Sequence, residues 1–445
     1  MEVRDQHNDG NVSAHQMAKG SEQDGAAEGE KDSAIAICGA GPVGLALAAL
    51  LVKQGLAPDR ISLIDGKTLA QACKDPRSIA LSYGSRQILE SLGAWPIGAT
   101  EIHQIHVSRR GHFGRTLIDR NEHNVPALGY VSRYGAIVEA LARVCEQQGV
   151  HMLRPVLVAG HMESSTEVCL QLQPSPASNP QSSSNAAPQS PASNANNPAA
   201  GTVVQPTSLS AQLLVQAEGG LFASQQQKTL HRDYQQTAII AEVRVSNPML
   251  QRAFERFTDE GPLALLPQND GNPAGHAYAL VWCVKPDTAD ALLALDDARF
   301  LAALGKAFGN RLGQFTSTSP RLGFPLGLNA KPEKSAAGRV VAIGNAAQTL
   351  HPVAGQGLNL GLRDAVVLAR QLAQGLTPAS LQRFEQARAG DRNTTLRLTD
   401  TMARIFTTPN QRSLAQGMLG ASLGLLDVFD PARHVLAELM MFGRR

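Results

Sequence analysis

This 445-residue sequence has no large excess of positive or negative residues, no closely spaced pair of cysteines and no long apolar run. The 40 Lys and Arg residues nearly balance 38 Asp and Glu residues, which argues against a nucleic-acid partner. The five cysteines are scattered and form no Cys-x-x-Cys pair, so we expect free thiols in a reducing cytoplasm and no metal site. No segment supplies the roughly 20 predominantly apolar residues of a transmembrane helix.

Two stretches have too little apolar character to form a core. Residues 1–33 mix charges with Gly, Ser and Asn and contain no apolar run typical of a secretory signal. Residues 174–206 consist largely of Pro, Ser, Asn, Ala and Gln and contain no charged residue. Because such compositions bury too little surface to offset the entropy of ordering, we predict a disordered tail and a disordered insert between two strands.

The rest of the sequence follows an α/β pattern. The stretch "AIAICGAGPVGLALAALLVKQG" from Ala34 predicts a strand, a glycine turn and a helix, and "DRISLID" predicts the next strand. Longer β-rich segments begin at Thr237, "RVVAIG" from Arg339 restores the α/β pattern, and the end from Pro378 reads as helices. We therefore predict a discontinuous, Rossmann-like dinucleotide-binding domain, a separate β-sheet domain and C-terminal helices.

These changes of pattern give a set of predicted domain boundaries. The dinucleotide-binding domain is expected to comprise residues 34–105, 129–222 and 338–377. The β-sheet domain is expected to comprise residues 106–128 and 223–337, with a helical region at 378–445.

A Gly-x-Gly-x-x-Gly motif lies in the first turn, as Gly39-Ala-Gly41-Pro-Val-Gly44. Asp65 follows Gly44 by 21 positions, at the end of the next strand, close to the spacing of about 20 residues in dinucleotide-binding folds. Gly39 would permit the tight turn, Gly41 the approach of a pyrophosphate, and Gly44 close packing of helix and strand, while Asp65 would bind a ribose diol. The alternative is a glycine turn in an ordinary α/β unit.

A second signature reads "GRVVAIGNAAQTLHPVAGQGLNLGLRDAVVLARQL", from Gly338. It resembles the closing motif of the class A aromatic flavoprotein monooxygenases, the para-hydroxybenzoate hydroxylase type of fold. Within that family it is similar to the ubiquinone-biosynthesis hydroxylases, and most of all to the 2-octaprenyl-6-methoxyphenol hydroxylase subgroup. Three further stretches carry the resemblance, which spans residues 34 to about 371: Asp75 to Trp95, Asp233 to Val243 and Ala253 to Pro267.

The resemblance implies which residues bind FAD. Arg77 and Arg133 would lie along its pyrophosphate and ribityl chain, although both could equally be solvated surface arginines. The ribityl chain would also meet Gly344 and Asn345. FAD would be bound by the N-terminal fold through Gly39, Gly41, Gly44 and Asp65. The isoalloxazine ring would be surrounded by Pro352, Gly355, Gln356, Gly357 and Asn359.

Three positions depart from the wider family. Glu218 stands in the turn after the third strand where most relatives carry Asp, which changes the reach of the predicted cofactor contact. Asn345 and Gln348 replace the usual Asp and His, and the methoxyphenol hydroxylase subgroup shares both amides. His351 is expected to pack under its loop, and the sequence identifies no catalytic acid or base.

The activity implied by the resemblance is aromatic hydroxylation of a polyprenylated methoxyphenol in ubiquinone biosynthesis. NADPH or NADH would reduce FAD, O2 would add to the reduced flavin, and the resulting hydroperoxide would transfer one oxygen atom to the phenol. Alternatives are a hydroxylase for another ring position or a soluble aromatic, and a non-catalytic flavin-binding accessory subunit.

The C-terminal stretch "SLAQGMLGASLGLLDVFDPARHVLAELMMFGRR" carries Leu, Met and Phe at helical spacings. It is compatible with a helix on the membrane surface, with contact to a ubiquinone-biosynthesis protein complex, or with a helix packed on the core. The predicted location is the cytoplasm, with peripheral attachment to the inner face of the cell membrane as one of these alternatives.

Overall fold

The structure is a computed structural model of the chain. It describes residues 33–110, 115–175, 207–218, 228–269, 271, 275–332, 337–351, 355–407, 437–438 and 441–443. Residues 1–32 of the predicted tail, residues 176–206 of the predicted insert, most of the predicted C-terminal stretch and Pro352 lie outside these residues. Pro174 still belongs to a strand, so the insert predicted to begin at residue 174 begins too early. Ser33 already belongs to the first strand, so the tail predicted to end at residue 33 is one residue too long.

Seven strands of the described chain form a mixed sheet, in which β8, β2, β1 and β11 run parallel and β18 lies parallel to β11. The antiparallel strands β10 and β9 extend the sheet beyond β11. These strands are β1 (Ser33–Cys38), β2 (Ile61–Ile64), β8 (His151–Leu153), β9 (Val156–Glu163), β10 (Val168–Pro174), β11 (Thr207–Gln216) and β18 (Val340–Ala342). The return of β18 to this sheet confirms the discontinuous α/β fold predicted from the sequence.

The second sheet is antiparallel except where β13 runs parallel to β5. Its order is β19-β17-β12-β15-β14-β13-β5-β6, and β16 pairs with β12. The strands are β5 (Gln104–Arg109), β6 (Arg115–Asp119), β12 (Lys228–Val245), β13 (Arg252–Phe257), β14 (Pro262–Gln268), β15 (Ala277–Val284), β16 (Phe315–Thr318), β17 (Leu322–Pro332) and β19 (Gln348–Thr349). A small antiparallel sheet lies beside it, made of β3 (Ser78–Ser82), β7 (Gly129–Arg133) and β4 (Thr100–Ile102).

The helices cover the two large sheets. α1, α4 and α7 pack together on the first sheet, and α5 and α6 cover the second. The helices are α1 (Pro42–Lys53), α2 (Leu69–Cys73), α3 (Tyr83–Ser91), α4 (Tyr134–Gln147), α5 (Pro286–Leu293), α6 (Asp297–Phe308), α7 (Gln356–Leu372) and α8 (Pro378–Thr407). In the described part of the chain, no helix is long and apolar enough to cross a membrane.

Two hydrophobic cores follow from this layering. The first contains Ile35, Leu47, Ile137 and Leu213, all fully buried between the first sheet and its helices. The second joins inward-facing side chains of β12–β15 to Phe300 of α6. Each sheet and its helices therefore have a core of their own. Burial of each such side chain contributes about 1.5–3 kcal/mol to stability. The predicted domain boundaries stay predictions.

Candidate functional site

A cavity of about 580 Å3 is lined by strands of the second sheet, by the small sheet, and by turns that follow strands β1, β11 and β18 of the first sheet. At one end it is bordered by the turn from β1 into α1, by β3 and by the start of α7. At the other end it is bordered by strands of the second sheet. Of the residues predicted to bind a cofactor, the cavity is lined by Gly41, Arg77, Asn345, Gly355 and Gly357.

The first glycine turn has the geometry that its motif predicts. Gly39 has φ +103°, and a Cβ there would lie 2.6 Å from the Glu218 backbone nitrogen. A Cβ on Gly44 would overlap the Gly39 carbonyl oxygen, and one on Gly41 would lie 2.7 Å from the Tyr134 hydroxyl. No side chain caps the start of α1 at Gly41 and its first turn has no acidic residue, so its N–H groups are available to a phosphate.

Two carboxylates lie beside this turn, as the sequence predicts. Asp65 Oδ2 accepts a hydrogen bond from Ala40 N at 2.8 Å, and Oδ1 accepts one from Lys67 N at 2.8 Å. Burial and the neighbouring Asp65 raise the pKa of Glu218, so the two acids lie close enough to repel each other. Arg154, which the sequence did not single out, donates to Ala40 O at 2.5 Å, and its Nη1 lies 4.0 Å from Asp65 Oδ1.

The two predicted arginines lie in different surroundings. Arg77 lines the cavity, forms an ion pair with Asp75 at 2.7 Å and lies over the Tyr134 ring at 4.7 Å. Arg133 does not line it; its side chain is 63% exposed and lies 3.4 Å from Glu242 Oε2. The structure therefore brings Arg77 into the site, while a cofactor contact of Arg133 stays a prediction.

The second signature also borders this end of the cavity, and its Gly344 turn packs against Val43 at the start of α1. Gly344 has φ +58° in the short 3-10 helix Gly344–Ala346, and Gly355 has φ +59° as the N-cap of α7. A Cβ on Gly357 would lie 3.6 Å from Asn345 Oδ1, so the two residues face each other. The start of α7 has neither a capping side chain nor an acidic residue in its first turn, so its positive end borders the cavity.

Asn359 is fully engaged by neighbouring protein groups. Its Oδ1 accepts from Ser82 N at 2.8 Å and Ser85 Oγ at 2.7 Å, and its Nδ2 donates to Ala80 O at 3.1 Å and Gly355 O at 2.8 Å. Asn359 and Gln356 border a smaller cavity of about 70 Å3. Asn359 therefore positions the loop before α7 against β3, and its predicted contact with the ring stays a prediction.

Asp364 of α7 holds the Gly344 turn in place through a hydrogen bond. The side chain is fully buried, and Oδ2 accepts from Gly344 N at 3.2 Å. Arg388 and Arg392 of α8 bind the same carboxylate at 2.7 and 3.0 Å, and Arg392 also donates to Ala342 O at 3.2 Å. The helix after the second signature thus stabilises the turn that borders the cavity.

The far end of the cavity is mostly apolar. Its wall includes Ala238, Ile240, Ala264, Leu266 and Val281 of the second sheet, together with Phe324 and Leu326 of β17. One carboxyl group, Glu255 of β13, interrupts this wall, and burial raises its pKa to about 7.

His351 is buried in the wall of the cavity. Residues 352–354 of the loop under which it is predicted to pack lie outside the described residues. The His351 Nε2 lies 2.9 Å from Gln236 Oε1, and its ring meets Tyr234 edge to face. Burial lowers the pKa of His351 to about 4, so it is neutral at pH 7. Among the described residues, no group of three His, Cys, Asp or Glu side chains could hold a metal ion.

Comparison with known proteins gives the same family as the second signature. Residues 32–400 match a family model described as "FAD binding domain". The chain is 29% identical to Ubiquinone hydroxylase UbiL of Rhodospirillum rubrum, over 85% of this chain and 82% of that protein. It is 28% identical to 3-demethoxyubiquinol 3-hydroxylase of Escherichia coli, over 80% and 85% of the two chains. An uncharacterized protein of Synechocystis, slr1300, is 29% identical over 92% and 94%.

A solved structure shares the fold. The p-nitrophenol 4-monooxygenase PnpA of Pseudomonas putida superposes with a TM-score of 0.68 at 16% identity, over 93% of this chain and all of that one. The resemblance to FAD-dependent monooxygenases inferred from the sequence is confirmed by these matches. With the family model covering most of its length and the cavity built from both signatures, the chain belongs to the FAD binding domain family of flavoproteins.

Proposed function

We propose that this protein is an aromatic-ring hydroxylase of ubiquinone biosynthesis that uses NADPH or NADH, FAD and O2 to hydroxylate a polyprenylated methoxyphenol. The observation that carries the proposal is one cavity with two uncapped helix starts at one end and an apolar wall at the other. The first end suits an anionic dinucleotide, and the second suits a hydrophobic ring.

The residues around the first end fit FAD. Backbone without side chains borders the cavity at Gly41, Gly355 and Gly357, and at Gly357 a larger residue would extend into ligand space. The start of α1 would hold the pyrophosphate, Asp65 the ribose diol, and Asn345 a ribityl hydroxyl. The start of α7 would place its positive end near the flavin pyrimidine.

Bound FAD would supply the redox and oxygen chemistry. The chain's own part is to orient the ring and exclude water, and the apolar wall of the second sheet does both. His351 lines the cavity, but it is buried and neutral and its Nε2 contacts Gln236 Oε1, so it is not proposed as an acid or base.

The names of two relatives support the substrate class. Both the R. rubrum and the E. coli proteins are named as hydroxylases of ubiquinone or a ubiquinol precursor. The pair Asn345 and Gln348, shared with the methoxyphenol hydroxylase subgroup, favours that substrate over a soluble aromatic. Because a polyprenylated phenol resides in the membrane, we further propose a cytoplasmic protein that reaches the inner membrane face or a biosynthetic complex through its C-terminal residues.

Purified protein tests the proposal directly. We expect bound FAD in a stoichiometric amount, oxidation of NADPH or NADH that a prenylated methoxyphenol stimulates, and a product carrying one oxygen atom from labelled 18O2. Faster oxidation with a water-soluble phenol than with the prenylated one would favour the soluble-aromatic alternative. Bound FAD without any phenol-stimulated turnover would favour the accessory subunit. In cells, deletion of the gene should cause a methoxyphenol precursor of ubiquinone to accumulate.

A further inference from the structure

Glu255 occupies an unusual position in the wall of the cavity. It lies opposite Ala264 in the pairing of β13 with β14, Ala264 lies opposite Val281 of β15, and Val281 lies opposite Ile240 of β12. All four residues line the cavity. One row across four strands thus presents three apolar side chains and one carboxyl group to the same space.

The two arginines of β13 do not pair with this carboxyl group. Side chains alternate between the two faces of a strand, so Arg252 and Arg256 of β13 lie on the face opposite to Glu255. There Arg252 binds Gln104 and Arg256 donates to Ala307 O at 3.1 Å. Within the described residues, Glu255 has neither a hydrogen-bond partner nor an ion-pair partner.

The neighbours on its own face offer little compensation. Burial and Glu255 together raise the pKa of the Cys283 thiol, which places that thiol near the carboxyl group. A thiol is a weak donor and cannot satisfy a carboxylate. The other acidic residue that lines the cavity, Asp233, is exposed and accepts from Gln235 N at 2.7 Å. Glu255 is therefore the partly buried acid of the apolar wall.

A partly buried carboxyl group without a partner is costly, because desolvation is not offset by a hydrogen bond. Such a group is stabilised once a ligand donates a hydrogen bond to it. The ligand class that the proposed function supplies is a phenol, whose hydroxyl is a donor and whose ring suits the apolar row.

We propose that Glu255 is the residue that recognises the phenol hydroxyl of the substrate. Its carboxylate accepts a hydrogen bond from that hydroxyl, and Ile240, Ala264 and Val281 contact the ring. The negative charge beside the phenol oxygen increases the electron density of the ring, which favours attack by an electrophilic oxygen atom. This inference rests on the proposed function and assigns to one side chain a role in substrate choice.

Binding of a prenylated methoxyphenol and of its O-methyl ether tests the proposal without turnover. Both ligands are titrated into the oxidised holoenzyme and followed by the change in flavin absorbance. We expect the unmodified protein to bind the phenol at least about tenfold more tightly than the ether at pH 8, a difference of about 1.4 kcal/mol. This preference should shrink at pH 5.5, where protonation removes the carboxylate acceptor.

Glu255→Gln keeps the size of the side chain and should lose the pH dependence, whereas Glu255→Ala should lose the preference for the phenol. Glu101→Gln serves as a control and should retain both, because the Glu101 side chain is partly exposed and does not line the cavity. Each variant is compared at matched FAD content.

Two results would overturn the inference. Glu255 variants that retain the preference and its pH dependence would overturn it and leave the proposed function standing. An unmodified holoenzyme that binds neither phenol nor ether would overturn the proposed function together with it. If a Glu255 variant fails to fold, the pH dependence of the unmodified protein decides, since an unchanged preference from pH 8 to pH 5.5 contradicts a titrating acceptor.

Discussion

Asp364 Oδ1 and Arg388 Nε form a buried ion pair at 2.7 Å that ties α7 to α8. The other oxygen of the same carboxylate accepts from Gly344 N, so the pair is connected to the turn that borders the cavity. Helix α8 therefore stabilises the turn at the cofactor end of the cavity, although it does not line the cavity.

Replacement of Asp364 by Asn should strongly destabilise the protein. The variant removes a carboxylate that binds both Arg388 and Arg392 and leaves them only Asp391 and Glu385 as counter-charges. Loss of one partner from a buried ion pair typically costs about 3–5 kcal/mol. Urea unfolding monitored by circular dichroism measures the difference. As a control, Glu139→Gln removes an exposed pair with Arg143 at 3.8 Å and should cost less than about 1 kcal/mol. Equal losses in the two variants would contradict the assigned role of the buried network.

Gly357→Val should weaken FAD binding by more than about tenfold. Among the described residues, and apart from the helix's own backbone, the one heavy atom within 4 Å of the new Cβ is Asn345 Oδ1 at 3.6 Å, so the larger side chain would extend into ligand space. FAD content of the purified variant, read from its visible absorbance, is the measurement. Gly390→Val changes an exposed glycine of α8 with no heavy atom near its Cβ and should keep normal FAD content. Full FAD content and normal NADPH oxidation in Gly357→Val would refute the prediction.

Asn345→Asp should retain most of the FAD affinity. The side-chain oxygen that is proposed to accept from a ribityl hydroxyl is present in both residues, and the nearby start of α7 favours a negative charge. We expect the dissociation constant to change by less than tenfold, or about 1.4 kcal/mol. Fluorescence titration of the apoprotein with FAD measures it, and Asn345→Leu, which lacks the oxygen, should bind clearly more weakly. A larger loss in Asn345→Asp than in Asn345→Leu would contradict the proposed acceptor.

His106 should make the protein less stable in mild acid. Burial and the Arg311 guanidinium, whose Nη1 lies 2.8 Å from Nε2, lower the pKa of His106 to about 4. An unfolded histidine has a pKa near 6.5, so between these values the unfolded chain binds the extra proton and stability falls as pH is lowered. The contribution of His106 between pH 7 and pH 5 is about 2 kcal/mol.

The measurement is the free energy of unfolding of the unmodified protein and of His106→Gln at pH 7 and pH 5. Contributions from the other titrating groups are common to both proteins and cancel in the comparison. The variant should lose about 2 kcal/mol less on acidification. Identical pH dependence in the two proteins would mean that His106 titrates alike in the folded and unfolded states.

Some of the site could be predicted from the sequence because its residues are restricted locally. Gly39 and Gly344 adopt positive φ, and Gly44 packs against the Gly39 carbonyl, so few other residues fit these turns. Asp65 was recognisable because its distance from the turn is fixed by one helix and one strand.

Other residues acquire their roles only from the tertiary structure. Glu255 faces the cavity because β13 pairs in a particular register with β14, and the stretch "AFERF" does not reveal which face will be covered. Arg154 follows the short strand β8 and belongs to no recognisable motif. Its side chain reaches the turn after β1 because β8 and β1 lie in the same sheet. Asp364 looks like an ordinary helix residue until α8 brings two arginines against it.

The hydrogen bond from Ser82 N to Asn359 Oδ1 joins residues 277 positions apart. During synthesis the first glycine turn leaves the ribosome long before Asn359 and α7 do. The βαβ unit can form early, but the half of the FAD site supplied by α7 is absent until most of the chain has been made. Capture of FAD is therefore a late event in the life of each molecule, and a cell short of FAD would accumulate finished chains that lack the stabilisation that ligand binding provides.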